Sequence, residues 1–135
     1  GLNSRLDEIQ AAFLDIKLKY LDSENQKRFQ IAKYYCENIQ HPNINLPFLN
    51  NHHVWHLFVI RAKNRNQLQK FLADNEIETL VHYPIPPHKQ LAYKKLNILS
   101  FPVTEKIHNE VLSLPISPVM TQQEVEFIVD TIKKF

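Results

Sequence analysis

The sequence predicts an α+β domain in which a long N-terminal helix leads into a small sheet covered by further helices. Three observations predict this class: helical periodicity over residues 4–39, short runs rich in β-branched and aromatic residues in the middle, and an amphipathic segment at the end. The predicted order is long helix, strand, helix, strand, helical turns, strand and helix. This mixed order is typical of a small sheet with helices packed on it.

The first helical region carries two apolar stripes whose members are spaced by three and four residues, as on one face of an α-helix. The stripes are Leu6, Ile9, Phe13, Ile16 and Tyr20, followed by Phe29, Ala32, Cys36 and Ile39. Ser4 and Asp7 fit a capping box at the start of this region. The polar run between the stripes predicts a bend near residues 22–25. Pro42 ends the helical pattern, and residues 41–52 are predicted to form a loop.

A central strand is predicted over residues 54–62 because apolar and aromatic residues occupy both of its faces. Residues 64–75 are predicted to form a short helix that ends at Asn75 in a left-handed conformation. The residues expected to face inward from this helix are Leu68, Phe71 and Leu72.

The second half of the chain predicts two more strands and a final helix. Residues 76–83 are predicted to form a strand that ends before a proline, and residues 112–117 a short strand broken by Pro115. Helical turns are expected between them. Thr121 and Glu124 have the spacing of a capping box, which predicts the start of the last helix. Its expected buried stripe is Val125, Ile128, Ile132 and Phe135.

Composition limits the classes of function. The chain has 135 residues, which fits one domain, and its 16 basic and 14 acidic residues are interspersed, which disfavours a nucleic-acid binder. The single cysteine excludes an internal disulfide and a cysteine-rich zinc site, and it suits the cytoplasm. No run of roughly 18 apolar residues predicts a membrane span. The only glycine is Gly1, which disfavours glycine-rich phosphate loops.

The chain opens on Gly1 in the middle of a helical pattern, and its only methionine is Met120. We therefore expect it to be a piece of a longer protein.

The stretch "VHYPIPPHKQ", residues 81–90, is the main candidate site because it contains His82, Tyr83 and His88 among three prolines. Prolines stiffen a loop, and a stiff loop suits the presentation of polar groups to a ligand. The alternative is a rigid connection whose histidines face solvent. Strand alternation would place His82 and Tyr83 on opposite sides.

Other candidates are weaker on their residues alone. His52, His53 and His56 are close in sequence but lack an evident third ligand on one face, so no metal site is predicted. Cys36 lies on an apolar stripe, which indicates a packed thiol rather than a nucleophile. Ser113 flanks a predicted strand without a glycine elbow, so a self-contained hydrolase is not predicted.

Asn3 and Arg5 lie at the start of the first predicted helix. An amide and a guanidinium at a helix N-terminus suit a phosphate, because free N–H groups and the helix dipole favour an anion there. The alternative is an ordinary capped helix start.

Four segments in this order resemble the C-terminal portion of the DegT/DnrJ/EryC1/StrS family of sugar aminotransferases. They are "NSRLDEIQAAFLDIKL", "HVWHLFVIRA", "LVHYPIPPHKQLAY" and "LSLPISPVMTQQEV", and the resemblance extends over essentially all of the chain. The form "HYPIPPHKQ" is most similar to the branch that aminates dTDP-linked 3-keto-6-deoxyhexoses.

The resemblance implies the C-terminal small domain of a fold-type I transferase that depends on pyridoxal 5'-phosphate. Such an enzyme transfers an amino group, usually from glutamate, to a keto group of a nucleotide-linked sugar, and works as a homodimer with active sites at the interface. Residues 41–135 would be the small domain and residues 1–40 a linking helical segment.

The resemblance also implies site residues. Asn3 and Arg5 would contact the cofactor, with Asn3 reaching the cofactor phosphate of the neighbouring subunit. The substrate would be bound by His56, His82, Tyr83 and His88.

The family's Schiff-base lysine lies upstream of the first matching segment, so the piece alone is expected to be inactive. Two alternatives remain: a family relative that is a sugar dehydratase or regulator, and a stand-alone binding or dimerisation module that uses the apolar stripe of residues 4–20.

Overall fold

The computed structural model describes residues 7–135 and has helices packed around a small sheet, which confirms the predicted α+β class. The helices are α1 (Glu8–Leu18), α2 (Leu21–Asn38), α3 (Arg65–Asp74), α4 (Pro102–Glu110) and α5 (Gln122–Ile132), with 3₁₀ turns at Pro87–Lys89 and Leu91–Leu96. The strands are β1 (Ile44–Asn45), β2 (Phe58–Ala62) and β3 (Val111–Leu114). Within residues 7–135, no helix combines the length and apolarity that a bilayer crossing requires.

The three strands form an antiparallel sheet in the order β1-β2-β3, so β2 is central as predicted. Phe58 pairs with Leu114 and Ile60 with Leu112. β2 starts at Phe58 rather than at residue 54, because Trp55 has a left-handed backbone with φ 52° that no extended strand can contain. β1 lies within residues 41–52, which the sequence predicted as a loop.

The predicted strand over residues 76–83 is wrong. Only Leu80 pairs there, in an isolated bridge with Ser113, in which the two residues exchange backbone hydrogen bonds of 3.3 and 2.8 Å. The chain then enters a segment with prolines at 84, 86 and 87. Since proline has no N–H to donate, the ladder cannot continue beyond this point.

The first helical region consists of two helices that meet at Lys19 and Tyr20, before the predicted bend at residues 22–25. Asp22 and Glu24 lie in the first turn of α2, where the helix dipole favours acidic side chains. Polar residues there mark a helix start rather than a bend.

The capping box predicted at the start of α1, with Ser4 as the N-cap and Asp7 three residues later, is wrong for Asp7. Asp7 is the N-cap and accepts a hydrogen bond of 2.9 Å from the Ile9 N–H, whereas Ser4 lies outside the described residues. The first apolar stripe of the sequence is exposed, because α1 has no buried residue. Leu6 of that stripe also lies outside the described residues.

The core lies between the sheet and the helices α2, α3 and α5. Its fully buried large side chains include Tyr35, Trp55, Phe58, Ile60, Leu68, Leu72, Leu112 and Ile132. The Tyr35 ring meets Phe58 edge-on at a centroid distance of 5.0 Å. The Tyr35 hydroxyl donates to the Pro115 carbonyl at 2.9 Å, and burial raises the pKa of Tyr35 well above its usual value.

The predicted start and buried stripe of α5 are confirmed. Thr121 Oγ1 accepts from the Glu124 N–H at 3.3 Å, and Glu124 Oε2 accepts from the Thr121 N–H at 2.7 Å. Val125, Ile128 and Ile132 are buried, while Phe135 is half-buried.

The predicted left-handed stop of α3 is displaced by one residue, from Asn75 to Glu76, whose φ is 62°. The Ile77 N–H donates to the Leu72 carbonyl at 2.9 Å, which is the 6→1 bond of a Schellman motif with Glu76 as its left-handed residue. Asn75 instead uses its side-chain amide, which donates to the Phe71 carbonyl at 2.8 Å.

Candidate functional site

A small cavity of about 130 Å³ lies where the chain enters β2 and where residues 78–80 meet β3. It contains two of the predicted substrate residues, His56 and His82. The rest of its wall is Leu57, Glu78, Thr79, Leu80, Ser113, Leu114, Pro115 and Ile116. A larger, mainly apolar groove of about 800 Å³ shares residues 78–80 but contains no histidine. Of these two, the smaller cavity is therefore the one that contains predicted substrate residues.

His82 is fixed by a hydrogen bond to β3. Its Nδ1 lies 2.9 Å from the Ser113 hydroxyl, across a sequence separation of 31 residues. Ser113 is 5% exposed and also forms the backbone bridge to Leu80, so the same residue holds both the main chain and the imidazole. Among residues 7–135, Nε2 of His82 has no hydrogen-bond partner. This nitrogen is free to bind a ligand.

His56 owes its position to the unusual backbone of Trp55. The Trp55 side chain is buried against Phe58 at a centroid distance of 5.7 Å, while the next residue, His56, is exposed at the cavity. A left-handed conformation at a bulky residue costs on the order of 1–3 kcal/mol and persists only where the surroundings impose it. The Trp55 N–H is held by His53 Nδ1 at 2.9 Å, which helps to impose it.

Tyr83 lies directly beside His82 and not on the opposite side. Its ring meets the His82 ring edge-on at a centroid distance of 5.8 Å, and its side chain is exposed. The prediction that the two residues face opposite sides is wrong because no strand forms here, so strand alternation does not apply. The structure therefore places His56 and His82 in one cavity, whereas Tyr83 lies beside His82 and does not line it.

His88 does not line this cavity. It is 5% exposed, and its Nε2 lies 2.9 Å from Glu105 Oε1 of α4. The Phe101 ring meets the imidazole edge-on at 4.9 Å. Hydrogen bonds from His88 and then from the Phe101 N–H hold the pKa of Glu105 below its usual range. Sequence reasoning did not single out Glu105, since only the fold brings it to the loop.

The other sequence candidates lie elsewhere. Asn3 and Arg5 are outside the described residues. His52 and His53 line a separate cavity of about 460 Å³ with Asp22. Within residues 7–135, no group of three or more histidine, cysteine, aspartate or glutamate residues is arranged to hold a metal ion.

Cys36 is half-buried, and burial followed by the charge of Glu37 raises the pKa of its thiol. A raised pKa disfavours the thiolate, so Cys36 is unsuited to act as a nucleophile.

The polar groups at the cavity can form hydrogen bonds but cannot form a covalent bond to an aldehyde cofactor. Two imidazoles and a buried hydroxyl suit sugar hydroxyls or phosphate oxygens, whereas the Glu78 carboxylate, which only accepts, suits sugar hydroxyls. The cavity wall contains no lysine. The residues of this wall therefore suit hydrogen bonds to a polar ligand, and they supply no primary amine.

Comparison with known proteins gives a consistent result. The model of the DegT/DnrJ/EryC1/StrS aminotransferase family matches residues 1–133. Over 137 residues the chain is 56% identical to the dTDP-3-amino-3,6-dideoxy-alpha-D-galactopyranose transaminase of Aneurinibacillus thermoaerophilus. That match covers 100% of this chain and 38% of the relative, so the chain spans well under half the length of the relative.

Solved structures agree with the fold. DesV of S. venezuelae, determined in complex with a ketimine intermediate, matches with a TM-score of 0.93 and 39% identity over 99% of this chain and 38% of that chain. NtdA of Bacillus subtilis, determined with bound cofactor PMP, matches with a TM-score of 0.90 and 34% identity over 99% of this chain and 33% of that chain.

Proposed function

Because this chain belongs to the DegT/DnrJ/EryC1/StrS aminotransferase family, we propose that it is the C-terminal small domain of an enzyme that aminates a nucleotide-linked sugar. The substrate would be a dTDP-linked keto-deoxysugar and the amino donor glutamate. The observation that carries this proposal is the 56% identity to a dTDP-sugar transaminase over the complete chain. The amino group of glutamate would replace the keto oxygen of the sugar.

The proposed substrate residues are His56, His82, Tyr83 and His88. His82 would donate from, or accept at, its unpaired Nε2 while Ser113 holds its Nδ1. His56 would act from the same cavity, and the exposed Tyr83 hydroxyl from its position beside His82. His88 Nε2 is bound to Glu105, so a ligand would meet its Nδ1. These groups orient the sugar and its phosphates and take no covalent part.

Pyridoxal 5'-phosphate is the proposed cofactor, and when bound it supplies an electron sink for amino transfer. The PMP-bound relative supports this choice. Asn3 and Arg5 would hold the cofactor phosphate, with Asn3 contributing to the neighbouring subunit of a homodimer. The reactive lysine would lie upstream of Asn3, as the family resemblance implies, and the cavity wall, which contains no lysine, would not supply it.

We propose that residues 41–135 form the small domain and residues 1–40 link it to the rest of the enzyme. α1 buries no residue, whereas the second half of α2 is anchored in the core by Ile31, Ala32 and Tyr35. The cytoplasm is the proposed location, since a single cysteine suits a reducing compartment.

The test uses the full-length protein that contains this chain, loaded with pyridoxal phosphate. Incubation with glutamate and a dTDP-linked keto-deoxysugar should yield 2-oxoglutarate and an aminated sugar, both measured by mass spectrometry. The His56→Asn and His82→Asn variants should keep the cofactor absorption but raise the KM for the sugar.

The isolated chain of 135 residues, given the same reagents, should neither bind the cofactor covalently nor form product. A full-length protein that removes a hydroxyl group without incorporating nitrogen would instead be a dehydratase. Product formation by the isolated chain would contradict the upstream lysine.

A further inference from the structure

The segment that follows His82 is fixed at a second point besides Ser113. Glu105 Oε1 receives hydrogen bonds from His88 Nε2 at 2.9 Å and from the Phe101 N–H at 3.1 Å, and Lys89 Nζ lies 3.9 Å away. A single carboxylate oxygen of α4 therefore contacts both the start of this segment, at His88 and Lys89, and its end, at Phe101.

Lys89 also joins the start of this segment to its end. Its Nζ donates to the carbonyl of Asn97 at 2.9 Å and to that of Leu99 at 3.0 Å. With the Phe101 ring against His88 at 4.9 Å, residues 88–101 form a closed loop whose two ends meet at Glu105. The carboxylate joins the start and the end of this loop.

The burial of His88 makes its contact with Glu105 specific. The imidazole is 5% exposed, so an unpaired ring nitrogen there would lose its bonds to water. Glu105 supplies the missing acceptor. Its lowered pKa is consistent with an ionised carboxylate, which makes the stronger, charge-assisted hydrogen bond.

The connection between His82 and His88 is stiff. Three of the five residues between them are proline, each with a fixed φ. His82 is held by Ser113 at one end and His88 by Glu105 at the other. A stiff segment fixed at both ends holds His82 and Tyr83 in one orientation, whereas a segment fixed at one end could pivot.

We propose that Glu105 is a positioning residue, which fixes the orientation of the loop at residues 81–90 from behind without touching the substrate. This inference rests on the proposed function for its consequence in catalysis: loss of Glu105 weakens sugar binding, and the donor and cofactor sites are unaffected. The loop geometry itself does not depend on that function.

The experiment uses the full-length protein carrying Glu105→Ala or Glu105→Gln. The matched control is Glu110→Ala on the same helix, which breaks the ion pair of Glu110 with Arg61, at 2.6 Å, and leaves the loop contacts in place. Hydrogen–deuterium exchange over residues 81–101 should rise in Glu105→Ala, rise less in Glu105→Gln, and stay at the wild-type level in the control. Glu105→Gln keeps an acceptor oxygen and covers the case in which the alanine variant fails to fold.

Steady-state kinetics give the second readout. Glu105→Ala should raise the KM for the nucleotide-linked sugar about tenfold, since small displacements of binding groups carry large penalties. Its kcat and its KM for glutamate should change less than about twofold, because the substitution leaves the binding of the amino donor unaffected.

Unchanged exchange over residues 81–101 in both Glu105 variants would overturn the proposal whatever the activity. An equal rise in the KM values for both substrates would also overturn it, because it would indicate general damage. Increased exchange in a protein that aminates no nucleotide-linked sugar would uphold Glu105 as a positioning residue and refute the proposed function alone.

Discussion

The hydroxyl of Tyr35 donates a hydrogen bond of 2.9 Å to the carbonyl of Pro115, and this contact joins α2 to the residue that follows β3. Pro115 also belongs to the wall of the cavity that contains His56 and His82. The buried Tyr35 hydroxyl thus connects α2 to the wall of the candidate site. Loss of this hydroxyl should lower the stability of the fold more than it alters the site.

Tyr35→Phe should lower the free energy of unfolding by about 1–2 kcal/mol, because the half-buried Pro115 carbonyl would lose its partner. Urea denaturation of the isolated chain measures this directly, since Trp55 is its only tryptophan and is buried. Tyr34→Phe is the matched control, as Tyr34 is only half-buried and should change stability little. Equal effects of the two substitutions would argue against the Tyr35 contact.

Thr121→Ala should lower the free energy of unfolding by about 1 kcal/mol, the usual effect of removing an N-cap side chain. The hydroxyl of Thr121 accepts from the Glu124 N–H, and no methyl group can replace that bond. Thr121→Ser keeps the hydroxyl and should retain most of the stability. The same urea titration measures all three proteins, and a serine variant as unstable as the alanine variant would contradict the capping role.

Stability should fall below the ordinary glutamate pKa because two carboxyl groups have lowered pKa values in the folded chain. Hydrogen bonds from His88 and then from the Phe101 N–H lower the pKa of Glu105, and those from the Thr121 N–H and hydroxyl lower the pKa of Glu124. Below the ordinary glutamate pKa of about 4.3, the unfolded chain binds protons that the folded chain does not. The stabilisation is therefore complete above this pH and is lost as the pH falls through the folded pKa values.

Urea titrations between neutral pH and about pH 3 measure this loss, which should be smaller in Glu124→Gln and Glu105→Gln than in the wild type. Titrating groups that do not contact the substituted residue cancel in the difference between each variant and the wild type. Glu126→Gln is a control, since Glu126 is an exposed residue on the same helix as Glu124. Parallel pH curves for wild type and the two test variants would contradict the prediction.

Ser113→Ala should release the His82 imidazole and raise the KM for the nucleotide-linked sugar several-fold in the full-length enzyme, about the effect of one hydrogen bond. Stability should change little, because the Leu80 bridge uses only the backbone of Ser113. Ser117→Ala, at a half-buried serine beyond Pro115, is the matched control. Wild-type KM in Ser113→Ala would show that the hydroxyl does not orient His82 for binding.

Elements that depend on neighbouring residues could be predicted from the sequence. The capping box of α5, its buried stripe and the position of β2 in the centre of the sheet follow from local spacing and apolar content. The end of β3 before Pro115 follows equally from proline chemistry. In each case the decisive groups lie within a few residues of one another.

Features that depend on distant partners could not be predicted. Glu105 comes to His88 only because α4 folds back on the loop, and Ser113 comes to His82 only because β3 pairs with Leu80. The left-handed backbone of Trp55, whose indole is buried, likewise goes against the local preference of a bulky residue. The predicted strand over residues 76–83 failed for a local reason, because Glu76 has a left-handed backbone and prolines follow at 84, 86 and 87.

The exposed apolar face of α1 has a consequence for how this helix forms. An isolated helix of 11 residues is marginal in water, and α1 gains no burial from the remainder of residues 7–135. Its side chains Ile9, Phe13 and Ile16 are each more than half exposed. In the separated chain α1 should therefore fray and exchange its amide protons quickly. The helical circular dichroism signal should be higher when another protein surface packs on the apolar face of α1 than when that face is exposed to water.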